Sequence, residues 1–142
     1  MFSVGGSVGI QSYQAAVDDP RVLSSIELLA RRGNTGVHIA VEYTDLSQEG
    51  ALIAVHPDFI YFQPLGEKVF LSLGAGPTFT APGTSTFATT WNAELELGVI
   101  AGRAEIFGRV RHYDYSLARF REGESGPNGP AIYAGVRFRL GR

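Results

Sequence analysis

Hydrophobic and polar residues alternate along most of this chain with a period of two, the signature of strands with two unlike faces. Phe2, Val4, Val8 and Ile10 alternate with Ser3, Gly5, Ser7 and Gly9. The same rhythm returns over Val37–Thr44, Val69–Gly76, Trp91–Val99, Ala104–Arg111 and Ile132–Leu140. Two further segments are less regular. Ala51–Gln63 is apolar on both faces and contains Pro57, which removes a ladder donor and predicts a bulge or an end to regular pairing. It still reads as a strand, because Phe59-Ile-Tyr-Phe62 favours extended backbone and precedes a Pro-Leu-Gly turn. Val22–Arg32 supports two readings. Asp19, Pro20 and Gly33 stand where a helix would place its N-cap, first residue and terminating glycine. The segment also alternates, with Val22, Ser24, Ile26, Leu28 and Ala30 against Leu23, Ser25, Glu27, Leu29 and Arg31.

Connectivity favours the strand without removing the helix. Taken as a strand, Val22–Arg32 raises the total to eight, an even number that closes an antiparallel up-and-down barrel. The connections then alternate between short turns (Gly33–Thr35, Pro64–Glu67, Ala101–Gly102) and longer links (Gln11–Arg21, Ser47–Gly50, Ala81–Thr86, Leu117–Pro130). The expected fold is therefore all-β: one eight-stranded antiparallel barrel domain over residues 1–142.

Composition then bears on which face meets solvent. No run approaches the 18 or more apolar residues of a spanning helix, which leaves strands as the one way this chain could cross a bilayer. Residues Met1–Ile10 lack the basic and continuous apolar regions of a secretory leader. The net charge of −2 offers no basic field for nucleic acid, and the absence of cysteine excludes disulfides and thiolate chemistry. Of twelve basic residues one, Lys68, is lysine. A solvated surface normally uses lysine, whereas the planar arginine fork suits carboxylates in a confined space. The polar faces carry Glu27, Arg31, Glu42, Glu94, Glu96, Glu105, Arg109, Arg111, Arg137 and Arg139, nearly balanced in sign. These ten residues are expected to form a charge network inside the barrel, with the apolar faces turned to lipid. The aromatics of the apolar faces sort into two levels, Phe2, Tyr61 and Phe138 toward the short turns and Tyr43, Phe79, Phe87 and Trp91 toward the long links. Two such girdles are what the two interfaces of a bilayer select. The alternative, a soluble lipocalin-like barrel around an apolar ligand, would place the same charges on its outer wall.

With these features the whole chain resembles the small eight-stranded outer-membrane barrels of the OmpA/OmpX type. Its last segment, Tyr133-Ala-Gly135-Val-Arg-Phe138-Arg-Leu140, is similar to the C-terminal assembly signal of that superfamily, although it continues to Leu140-Gly-Arg142. The resemblance implies a bacterial outer-membrane location, surroundings of outer-membrane lipid and lipopolysaccharide, insertion by the barrel-assembly machinery, a monomer, and no cofactor.

Candidate chemistry is sparse. Arg111-His-Tyr-Asp-Tyr-Ser116 resembles a region of the lipid A deacylases, outer-membrane esterases whose His and Ser lie two residues apart on the outward face. Here Asp114 occupies that second position, and Ser116 is four residues from His112, about 13 Å along a strand and beyond direct proton transfer. His112, Asp114 and Ser116 are thus the catalytic candidates, and the expectation remains a non-enzymatic protein. His38 and His56 could both face the lumen, with Asp58 beside the latter, but their spacing defines no metal site. Glu94 and Glu96 share a face in the manner of a glycosidase pair; surrounded by arginines both stay ionised, so they read as structural. Antiparallel pairing about Ala101–Gly102 would set Glu94 near Arg109 and Asn92 near Arg111.

Overall fold

The computed structural model describes residues 1–11, 21–45, 51–82, 88–114 and 129–141. They form eight antiparallel strands: β1 (Phe2–Gln11), β2 (Arg21–Arg32), β3 (Thr35–Asp45), β4 (Ala51–Pro64), β5 (Val69–Pro82), β6 (Ala88–Ala101), β7 (Ala104–Asp114) and β8 (Gly129–Leu140). Each pairs with its sequence neighbours and β1 pairs with β8, so the sheet closes in strict sequence order and leaves no edge. The segment that could have been a helix is β2, locked in unbroken register between β1 and β3. Its local helix signals give way because its alternating face can be buried only within a sheet.

Two expectations about pairing are corrected, the first in part. Pro57 produces no bulge and does not end the strand, but regular pairing does lapse at it on one side, where His56, Pro57 and Asp58 have no β5 partner. The β4–β5 register is the same on both sides of it, Val55 opposite Phe79 and Phe59 opposite Ala75, and that spacing puts Pro57 opposite Pro77. The two residues without an N–H therefore stand in one gap between β4 and β5, while β3–β4 and β5–β6 continue unbroken past them. For the same reason β5 runs on beyond Gly76 to Pro82. The second correction concerns the β6–β7 turn. Ala101 pairs with Ala104, so the two-residue loop is Gly102–Arg103, with Gly102 at φ 63°, as primed hairpin turns require. Moving the turn by one residue sets Glu94 opposite Arg111, Glu96 opposite Arg109 and Asn92 opposite Tyr113, instead of the pairs expected above. The faces are unchanged, because the shift in partner is by two residues.

Sidedness is unambiguous. Most outward positions of the described strands are apolar and exposed, among them Ile26 (72%), Val8 (59%), Leu97 (55%) and Ile132 (65%). The inward positions hold the buried ionic groups, with Glu105 and Arg111 fully enclosed. A soluble barrel of lipocalin type reverses this arrangement, so that alternative does not fit. Phe2, Tyr61 and Phe138 stand outward near the short turns, and Tyr43, Phe79 and Trp91 stand outward toward the other end. Along the strands the register sets the two levels six to ten residues apart, six from the Tyr61 partner Leu73 to Phe79, eight from its partner Thr35 to Tyr43, and ten from the Phe138 partner Ala104 to the Trp91 partner Asp114. At ~3.3 Å per residue and a tilt near 40° this is ~15–25 Å along the barrel axis, within the height of an outer-membrane apolar band. Phe87 lies outside the described residues.

Candidate functional site

The interior of the barrel is the site that this sequence builds. An eight-stranded barrel is only wide enough inside for its own side chains. Here the inward alternation supplies charged ones, and small residues beside them provide the room. A Cβ on Gly74 would lie 2.8 Å from Cγ of Glu94, and one on Gly9 would lie 2.7 Å from Cε1 of Tyr133.

From the short-turn end upward, the contacts form a continuous stack. At the base, Glu105 gathers Arg139 (3.0 Å), Arg137 (3.5 Å) and Arg31 (3.6 Å). The Arg31 guanidinium lies 3.4 Å above the centroid of the Phe62 ring, which is itself stacked on Phe70 at 4.9 Å. Above them Arg109 is the hub. It donates to both oxygens of Glu27 (2.9 and 2.8 Å) and, through Nε and Nη2, to Glu96 (3.1 and 2.7 Å); its Nε also lies 3.4 Å from Glu94. Arg137 completes this tier with a close contact to Glu96. Next, Arg111 donates to Glu94 (2.6 Å) and Asp58 (3.3 Å), and Asn92 donates to Asp58 (2.9 Å) and to the Gly76 carbonyl (3.1 Å). At the top, the hydroxyls of Tyr133 (2.6 Å) and Tyr113 (3.0 Å) donate to Glu42, beneath Leu23 and Ala131. His56 is enclosed nearby, with Nδ1 2.9 Å from the Thr78 hydroxyl.

His38 bridges two tiers. Its Nε2 lies 3.1 Å from Glu27 and its Nδ1 3.0 Å from Glu94. A carboxylate only accepts, so both ring nitrogens must donate, and the ring that fits is the imidazolium. The described interior then balances: Glu27, Glu42, Asp58, Glu94, Glu96 and Glu105 against Arg31, Arg109, Arg111, Arg137, Arg139 and His38. His38, Asp58 and Glu94 also offer ligand atoms within 4.8 Å of one another, a spacing a metal ion would use. Arg111 already donates to both of those carboxylates, however, and a second cation there would meet it at close range.

All ten residues expected in the lumen lie within this stack, and Glu94 does approach Arg109, but diagonally across the hairpin. Asn92 turns to Asp58 and Thr78 instead of Arg111. Sequence reasoning left His38, Asp58, Tyr113 and Tyr133 out of the network. The signal was the parity itself: His38 shares its face with Glu42, Asp58 with His56, Tyr113 with Arg109 and Arg111, and Tyr133 with Arg137. His112 stands on the opposite, outer side of β7, with Ala93 and Pro130 as its cross-strand neighbours. Asp114 ends β7 opposite Trp91; its side chain, and Ser116, lie outside the described residues.

Fold and interior together define a class of protein, the small eight-stranded transmembrane β-barrel, with an apolar wall and a lumen occluded by a buried ion-pair and histidine network. A solved structure of this kind, the crystal structure of Neisserial surface protein A (NspA), matches with a TM-score of 0.67 at 15% sequence identity, covering 98% of this chain and 97% of that one. At that identity the likeness is one of fold. No protein-family model matches the chain, and no curated protein does.

Proposed function

We propose that this protein is an integral outer-membrane barrel of a Gram-negative bacterium, non-enzymatic and non-conducting, whose wall anchors the connecting segments at its long-link end for interactions outside the cell. The observation that carries this reading is the sidedness, an apolar outer wall around a lumen filled by mutually neutralised charge. An ionic interior of this kind cannot hold an apolar ligand, and the salt-bridged stack leaves solutes no open path. The chain is taken as one barrel domain, inserted as a monomer by the barrel-assembly machinery and surrounded by phospholipid and lipopolysaccharide. Its longest connection, residues 115–128, carries Arg119, Arg121, Glu122 and Glu124 among glycines and proline, a composition suited to recognition by an exposed loop. That segment lies outside the described residues.

The test is reconstitution. Refolded into detergent or lipid, the protein should migrate differently in electrophoresis before and after boiling, and it should require detergent to remain monodisperse. In planar bilayers it should give no stepwise conductance. Stable channel openings would contradict the occluded lumen, and a monodisperse folded protein in plain buffer would contradict the membrane reading.

A further inference from the structure

On the outer wall at the short-turn end, the register assembles a trough. Phe2 pairs with Ala30, Ala30 with Val37, and Val37 with Phe59, so these four outward side chains form one row across β1, β2, β3 and β4. Ala30 is the short member of the row, and the two phenylalanines wall it in at a separation of three strand spacings, ~14 Å. The result is a cleft of about 780 Å³, lined by these residues together with Arg31, Arg32, Gly33, Thr35, Gly36 and Met1, whose ammonium is held by the Arg31 carbonyl at 2.8 Å. One row deeper into the wall the apolar surface continues through the pair Leu28 and Ile39. One row toward the rim the chemistry changes, because Arg32 pairs with Thr35 and Thr35 with Tyr61. Thr35 Oγ1 lies 3.5 Å from the Arg32 carbonyl, which puts a hydroxyl beside the base of that arginine.

Arg32 differs from the arginines of the lumen. Arg31, Arg109, Arg111, Arg137 and Arg139 project inward and meet carboxylates, whereas Arg32 is exposed on the apolar side of its strand, and among the described residues no acid pairs with it. A cation on a lipid-facing wall is costly unless it lies at the interface and meets an anion there. Directly above it is an apolar trough. We propose that this trough and Arg32 form a binding site for one glycerophospholipid, with acyl chain against Ala30, Val37, Leu28 and Ile39 between the two phenylalanines, and with phosphate on the Arg32 guanidinium and on the Thr35 hydroxyl, which turns from its long contact with the Arg32 carbonyl to donate to the phosphate.

The inference rests on the membrane reading above, since short turns of such barrels face the periplasm and so meet the phospholipid leaflet. The charge complementarity is specific to the phosphate: a diacylglycerol with the same chains would fill the trough and leave Arg32 unmatched.

Native mass spectrometry of the refolded full chain tests this with three probes, phosphatidylglycerol, phosphatidylethanolamine and diacylglycerol of identical acyl chains. The expected result is one retained phospholipid per barrel and weaker retention of diacylglycerol. Arg32→Gln should lower phospholipid retention about fivefold, the effect of one basic residue at a membrane surface, and leave diacylglycerol unchanged. Ala30→Phe, which fills the trough, should lower retention of all three. Arg103→Gln, in the distant β6–β7 turn, should change none. Equal retention of phospholipid by wild type and Arg32→Gln would overturn the proposal, as would equal retention of diacylglycerol and phospholipid by the wild type. Heat-modifiable mobility of each variant reports the membrane reading separately, so a barrel that folds in lipid yet shows no phosphate preference defeats this inference alone.

Discussion

Replacing Arg109 with methionine should lower the stability of the folded barrel by about 3–5 kcal/mol, the usual cost of removing one partner from a buried ionic pair. Arg109 makes four hydrogen bonds to Glu27 and Glu96, both enclosed, and its loss leaves two carboxylates short of a counter-charge within one tier. Glu27 would keep His38 and the Ser7 and Ser25 hydroxyls, whereas Glu96 would keep Arg137. Urea unfolding in lipid vesicles, followed by the fluorescence of Trp91, measures the change. Adding Glu27→Gln to Arg109→Met should recover part of the loss, because one uncompensated charge is removed along with its partner. A single-variant cost below about 1 kcal/mol would mean that the network is hydrated like a surface ion pair, and the lumen would then be wet instead of packed.

The second large effect belongs to the outer wall. Leu95 sits outward on β6 between Leu73 of β5 and Val110 of β7, away from both aromatic levels. Leu95→Arg should cost about 2–4 kcal/mol when the barrel folds into a bilayer, the penalty for a cation near the midplane of a barrel wall. In a water-soluble barrel the same substitution on an exposed strand position would stay within about 0.5 kcal/mol. The fraction folded into vesicles as a function of urea separates the two, and a neutral Leu95→Arg would remove the lipid from the account.

The strands were legible because a wall with unlike media on its two sides imposes strict alternation on every one of them. Where the alternation coexisted with helix signals, at Val22–Arg32, the even count needed for closure decided correctly. What the sequence left open was translation. Alternation assigns a residue to a face but does not locate a turn to the residue, and the one-residue difference between Ala101–Gly102 and Gly102–Arg103 exchanged every pair between β6 and β7. Contacts across the lumen were less accessible still. Arg109 meets Glu27 over a separation of 82 residues, and Tyr133 meets Glu42 over 91. Such pairs depend on strand tilt and shear, which no local pattern encodes. The same limit explains why His38, and Asp58 beside His56, could be read as facing the lumen while their place in the charge balance could not. The trough at Ala30 likewise emerges only when four strands are in register.

The native chain contains no cysteine, so single cysteines can be introduced and spin-labelled without background. Labels at Ile26, Leu95, Val110 and Ile132 sample the outer wall on four strands. In reconstituted vesicles each label should collide freely with molecular oxygen, which concentrates in hydrocarbon, and scarcely with a water-soluble nickel chelate. Ready collision with the chelate at all four positions would show that water, and not lipid, surrounds the barrel, and would contradict the account.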